Sequence, residues 1–143
     1  MEIKLCYKTY QVNPTLGAMK QFHDETGQDF WTTLLSVILE AEKCKQEGAS
    51  VLDRLVRVSK ALELKPNAVA FDVAANLFHC LIDKSLNIPL SEVRDGMFRC
   101  GWLPTERDGD MGEPYTYVIQ KLAYDINEAM ERSVKDSKKK ADT

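Results

Sequence analysis

The chain opens on a two-residue alternation and then turns to helical spacing for most of its length. Ile3, Leu5 and Tyr7 fall on one side of residues 2–12, and Glu2, Lys4 and Cys6 on the other. The phase then slips, with Tyr10 and Val12 as the next apolar pair. A period of two marks a strand, and a slip of phase requires a turn or bulge. The pattern predicts a short two-stranded ribbon at 2–12 that turns near Lys8-Thr9. Asn13-Pro14 then predicts a helix start, with Asn as cap and Pro at the first helical position. Leu16, Met19, Phe22 and His23 follow at helical spacing as far as Thr26, and Gly27 supplies the stop. Gly17 inside this helix costs about 1 kcal/mol relative to alanine, and a closely packed neighbour is the expected compensation.

Asp29 caps a second predicted helix to about Gln46, with Phe30, Trp31, Leu34, Leu35, Val37, Ile38 and Ala41 as its apolar stripe and Gly48 beyond its end. Ser50 and Asp53 form an abbreviated capping box before a third helix carrying Val51, Leu52, Leu55, Val56 and Leu62. Asn67 is the predicted cap of a fourth helix, about 68–84. Apolar residues run almost all round it, which puts it at the centre of the fold. Ser91 is read as the cap of SEVRDGMFRC, ended by Gly101, and the polar, glycine-containing stretch TERDGDMGEP is an exposed loop. Pro114 starts a last helix with Tyr115, Val118, Ile119, Leu122, Ile126 and Met130 on one stripe. The sum is a mainly α fold, a bundle of about five to six helices with an N-terminal β-ribbon. Residues 1–134 form one helical domain, and 135–143 a disordered Lys-rich tail.

Composition adds exclusions rather than an activity. The 143 residues carry 19 Lys+Arg and 22 Asp+Glu, a net charge of −3. The tail holds +2, which leaves −5 on the body. An acidic body argues against general nucleic-acid binding. No apolar run reaches the ~18–20 residues that span a bilayer, and the first residues lack a signal-peptide core. Neither nucleic acid nor membrane is therefore expected as a partner.

The residues that could carry chemistry are scattered. Cys6, Cys44, Cys80 and Cys100 are far apart and make no C-x-x-C pair, and His23 and His79 add no metal-binding spacing. Four reduced thiols packed as small apolar groups are expected. Gly96, Gly101, Gly109 and Gly112 do not have phosphate-loop spacing. Glu106, Asp108, Asp110 and Glu113 fail the calcium-loop pattern, because position 12 is Ile119. No metal and no cofactor is implied. Two rival activities have slender bases: a recognition helix for duplex DNA on the stripe Arg54, Arg57 and Lys60, and an enzyme site around His79, Cys80 and Asp83. The candidates for partner binding are Phe98, Trp102, Leu103, Tyr115 and Tyr117, which flank the polar loop; core packing is the competing account of all five.

The order of these features resembles the tail assembly chaperones of long, non-contractile-tailed bacteriophages. The likeness lies in NPTLGAMKQFHDETGQDFW, at Leu16, Gly17, Ala18, Phe22, Thr26 and Gly27, and in DGMFRCGWLP, at Asp95, Gly96, Met97, Phe98, Gly101, Trp102, Leu103 and Pro104. The resemblance implies a helical, non-enzymatic protein that binds the tape-measure protein. Such a protein keeps its client soluble in the host cytoplasm while tail-tube subunits assemble round it, and is absent from the mature virion. It also implies a longer frameshifted form reaching the tail-tube protein. Lys138, Lys139 and Lys140 lie where such a slip would occur; the same triplet also reads as an ordinary basic tail. Holding a long client calls for many copies, so weak self-association into a homo-oligomer fits the same task. A small helical adaptor or DNA-binding regulator of phage or bacterial origin is the alternative.

Overall fold

The computed structural model describes residues 1–6, 8–100 and 113–141. Among them are two strands, β1 (Glu2–Leu5) and β2 (Lys8–Gln11), and six α-helices: α1 (Leu16–Thr26), α2 (Phe30–Glu47), α3 (Val51–Ala61), α4 (Ala70–Leu81), α5 (Leu90–Cys100) and α6 (Tyr115–Ala141). A 3-10 turn occupies Lys84–Leu86. The fold is thus the expected mainly α bundle with an N-terminal ribbon.

At the centre lies α4. Eight of its twelve residues are buried, among them Val73, Ala74, Ala75, Leu77, Phe78 and Leu81. Helices α1, α3 and α5 pack on it. Its alanines leave room for that, since a small side chain lets a neighbouring backbone come close. The core gathers Phe22 of α1, Phe30, Leu34 and Val37 of α2, Val58 of α3, Met97 of α5 and Ile119, Leu122 and Ile126 of α6 around it. Helix α6 lies on α2, α3 and β1.

The ribbon is antiparallel, with Ile3 opposite Tyr10 and Leu5 opposite Lys8. Its turn therefore falls between Leu5 and Lys8, two residues before the expected Lys8-Thr9. Beyond β2 the chain stays extended and pairs with the end of α4. Val12 bridges Ile82, the Asn13 amide donates to the Leu81 carbonyl, and the Asp83 amide donates to the Gln11 carbonyl. That pairing consumes Asn13 and moves the start of α1 down the chain. Thr15, not Asn13, is the cap, and its Oγ1 accepts from the Ala18 amide at 3.0 Å.

Other helix ends follow local chemistry. Asp29 caps α2 through the Thr32 amide, Ser50 caps α3 through the Asp53 amide, and Gly27 and Gly48 close α1 and α2 in the left-handed region. The expected cap of α4 fails. Asn67 sits in a turn at φ 66, and the helix begins at Ala70 after an extended Val69 with no side-chain cap. Helix α5 starts at Leu90, so Ser91 lies within it, and the Pro89 carbonyl accepts from the Glu92 amide.

Two further expectations are corrected. Leu35, Val51, Leu52, Val56 and Met130 are exposed rather than in the core stripe. Helix α6 runs to Ala141 through the segment expected to be disordered. Lysine and alanine are good helix formers, and the Arg132–Glu128 ion pair braces the helix ahead of that segment. Of the expected polar loop 105–114, residues 105–112 lie outside the described residues.

Gly17 and Gly96 serve different ends. A Cβ on Gly17 would meet only Thr15 Oγ1, at 3.8 Å, so no packed neighbour demands glycine there. A Cβ on Gly96 would come within 3.2 Å of the Leu5 Cβ, where α5 presses on β1. Gly17→Ala should raise the unfolding free energy by about 0.5–1 kcal/mol. Gly96→Ala should lower it by about 1 kcal/mol, because overpacking of about 1–3 kcal/mol outweighs the helix gain. Urea denaturation with unchanged m-values would test both signs.

Candidate aromatic surface at the start of the central helix

The first turn of α4 stands between two of the sequence candidates. Phe71 meets the Tyr115 ring edge-on, with centroids 5.7 Å apart and planes at 88°. The next residue, Asp72, pairs with Arg94 of α5 at 3.5 Å. Phe98 lies one helical turn beyond Arg94, on the same side of α5. It is 79% exposed. Tyr115 and Phe98 are thus linked through Phe71, Asp72 and Arg94, and Val69, also exposed, adjoins this turn. Tyr117 is half-buried but points elsewhere, because residues two apart on a helix stand about 200° apart. Trp102 and Leu103 lie outside the described residues. Val69 and Phe71 were missed as surface candidates because the apolar run of α4 hides which of its residues face outward.

Two more apolar stripes break the polar surface. Leu35 and Leu39 on α2, and Leu52 and Val56 on α3, are exposed pairs at i, i+4 spacing. At the head of α1, Leu16 is 84% exposed. Of the lysine triplet, Lys138 is exposed on α6, and the side chains of Lys139 and Lys140 are outside the described part.

The rival sites do not assemble. Arg57 Nε donates to Glu40 Oε1 at 2.6 Å and its Nη1 to Glu47 Oε2 at 2.6 Å, while Arg54 Nε donates to Gln120 Oε1 at 2.9 Å. Both guanidinium groups are thus engaged in joining α3 to α2 and α6, which leaves Lys60 alone of the basic stripe. His79 Nε2 bonds the Ile88 carbonyl at 2.9 Å. Asp83 lies past the end of α4 and caps the 3-10 turn through Ser85. The Cys80 Sγ donates to the Leu77 carbonyl, and burial pushes its thiol up to about 12, so it is protonated at neutral pH. Among the described residues no three His, Cys, Asp or Glu side chains stand together as metal ligands. No described helix is long and apolar enough to cross a membrane.

Electrostatics ties the ribbon to α5. The Tyr10 hydroxyl donates to Glu92 Oε2 at 2.7 Å, and Lys8 Nζ lies 3.5 Å from Oε1. Desolvation, reinforced by the carboxylate, raises the Tyr10 hydroxyl above its ordinary value. The Tyr10 hydrogen bond holds the Glu92 carboxyl below the usual glutamate range. Asp29 and Glu47 are lowered too, by the Thr32 amide and by Arg57 respectively. A carboxyl depressed in the folded state stabilises it above the unfolded pKa and loses that contribution as pH falls through the folded one. The melting midpoint should therefore hold from pH 7 to about 5 and fall below about pH 4.5. Glu92→Gln should make that acid limb shallower, and a pH series of thermal melts would show it.

Phe98→Ser should leave the unfolding free energy within about 0.5 kcal/mol of the parent, as for an exposed position. Phe71→Ala should cost about 2 kcal/mol through the lost ring pair and half-buried area. Matched denaturation curves would separate a surface residue from a packing one. Compared with protein-family models, curated proteins and solved structures, the chain matches none.

Proposed function

We propose that this chain is a tail assembly chaperone of a long, non-contractile-tailed bacteriophage, which binds the tape-measure protein and keeps it soluble while tail-tube subunits assemble round it. One observation carries most weight. The two segments on which the resemblance rests each hold a large apolar side chain that the fold leaves in water: Leu16, 84% exposed, and Phe98, 79% exposed. They are the most exposed large apolar residues among those described. Neither is needed for the packing of its own helix, and a partner that covered them would withdraw their apolar area from water.

The client suits such a surface. A tape-measure protein is a long helical chain, and an amphipathic helix binds by laying apolar residues at i, i+3, i+4 spacing against apolar positions of its partner. Leu35/Leu39 and Leu52/Val56 offer such positions on α2 and α3. A long client can take many copies, so modest contacts suffice through avidity and weak self-association fits the task. Work in the host cytoplasm, a frameshifted longer form that reaches the tail-tube protein, and absence from the finished virion belong to the same proposal. No observation favours the DNA-binding alternative, since Arg54 and Arg57 are engaged within the protein.

Co-expression with the tape-measure protein of the same phage should move that protein from the insoluble to the soluble fraction, in complex with this chain. A Leu16→Ser/Phe98→Ser double variant should fold with an unchanged melt and capture at least tenfold less client. Equal insolubility of the client with and without the parent chain would overturn the proposal.

A further inference from the structure

Two of the four cysteines meet where the turn of the ribbon lies on the end of α5. The Cys6 amide donates to the Cys100 sulfur, and both side chains are buried. Cys6 adopts φ 59. That left-handed region suits glycine or asparagine and is costly for other residues, so the backbone alone does not account for a cysteine there. One residue earlier, Leu5 touches the helix at Gly96, which lies one turn before Cys100 on the same side of α5. With the Cys100 sulfur bonded to the Cys6 amide, the two residues lie side by side, as the Cα separation of about 4.4–6.8 Å spanned by a disulfide requires. The thiols also sense each other. Burial raises the Cys100 thiol above its ordinary value, the Cys6 amide opposes that rise, and the Cys6 thiol adds to it. Of the other two cysteines, Cys80 gives its thiol to the Leu77 carbonyl and Cys44 sits on α2.

We propose that Cys6 and Cys100 are a redox-sensitive pair, a dithiol that closes to a disulfide by exchange with a small-molecule disulfide and so locks the β1–β2 ribbon to the end of α5. With oxidised glutathione, the Cys6 thiolate attacks one sulfur and one glutathione leaves as thiolate. The Cys100 thiolate then attacks the Cys6 sulfur of the mixed disulfide and expels the second glutathione. The cysteines lose two protons and two electrons, and the glutathione disulfide is reduced to two thiols. The new bond joins residues 94 apart in sequence. A cross-link over so long a loop restricts the unfolded chain strongly. Because both thiols are buried, exchange proceeds through local opening of the turn and is slow.

The test is to incubate the full chain with oxidised glutathione, with and without a disulfide isomerase to remove the kinetic barrier, then alkylate under denaturing conditions and map peptides without reduction. The expected outcome is a Cys6–Cys100 cross-linked peptide about 2 Da lighter than its two reduced parts, alkylated Cys44 and Cys80, and a melting midpoint raised until dithiothreitol is added. Cys100→Ser should stop at the glutathione adduct on Cys6, with no rise in midpoint. Four alkylated cysteines despite the isomerase, glutathione adducts without the cross-link in the parent chain, or a cross-link through Cys44 or Cys80 would each overturn the proposal.

Discussion

The organising constraint is that α4 is apolar over most of its circumference and leaves only the strip through Asp72, Asn76 and His79 toward water. Its buried residues, from Ala70 and Val73 through Ala75, Phe78 and Leu81, cover the rest of it, so every neighbour packed there must present an apolar face. At roughly 1.5–3 kcal/mol for each large side chain withdrawn from water, this one helix supplies much of what offsets the chain entropy of its neighbours. Its alanines set how closely α1, α3 and α5 can lie. Its C-terminal end is occupied as well, because Ile82 and Asp83 continue as extended chain and take up the hydrogen bonds of Gln11, Val12 and Asn13.

The ribbon is therefore part of the bundle, not an appendage. Two strands alone are marginal in water, and here three contacts hold them. The paired segment after α4 grips one end. Gly96 lets α5 press against Leu5, and Glu92 takes the Tyr10 hydroxyl and the Lys8 charge. A second polar anchor stands across the molecule. Gln28 is buried in the α1–α2 turn, where its amide nitrogen donates to Thr33 Oγ1 and its Oε1 accepts from the Leu64 amide beyond α3. Such buried polar groups specify an arrangement, since an unpaired one costs more than the bond itself contributes.

What could be read from the sequence was what local chemistry decides. The caps at Asp29 and Ser50 and the stops at Gly27 and Gly48 depend on a few neighbouring residues, and these were legible. The start of α1 was not, because Asn13 is claimed by Leu81, a residue 68 positions away. Nor was the turn of the ribbon, where Cys6 takes a backbone conformation that its residue type does not advertise. Apolar stripes told which residues can be buried, not which are: Leu35 and Val56 lie beside core positions in the sequence but outside the angle that the neighbouring helices cover. The surface at the start of α4 was half legible. Tyr115 and Phe98 were visible as aromatics flanking a polar loop, whereas Phe71, which touches Tyr115, was hidden in a uniformly apolar run.

Leu16 shows why exposure separates folding from binding. As the first residue of α1 it needs no particular side chain, for Thr15 already supplies the cap and Ala18 and Phe22 the packing. The positive end of a helix dipole would favour an acidic residue there. A leucine at that place gives the isolated chain nothing and leaves apolar surface in water. Phe98 is placed likewise, on the outer side of a helix whose inner side is completed by Val93, Met97 and Cys100. On the proposed reading, two such residues, each worth little alone, would gain weight against a client that repeats its own apolar face along its length, because many shallow contacts add up through avidity.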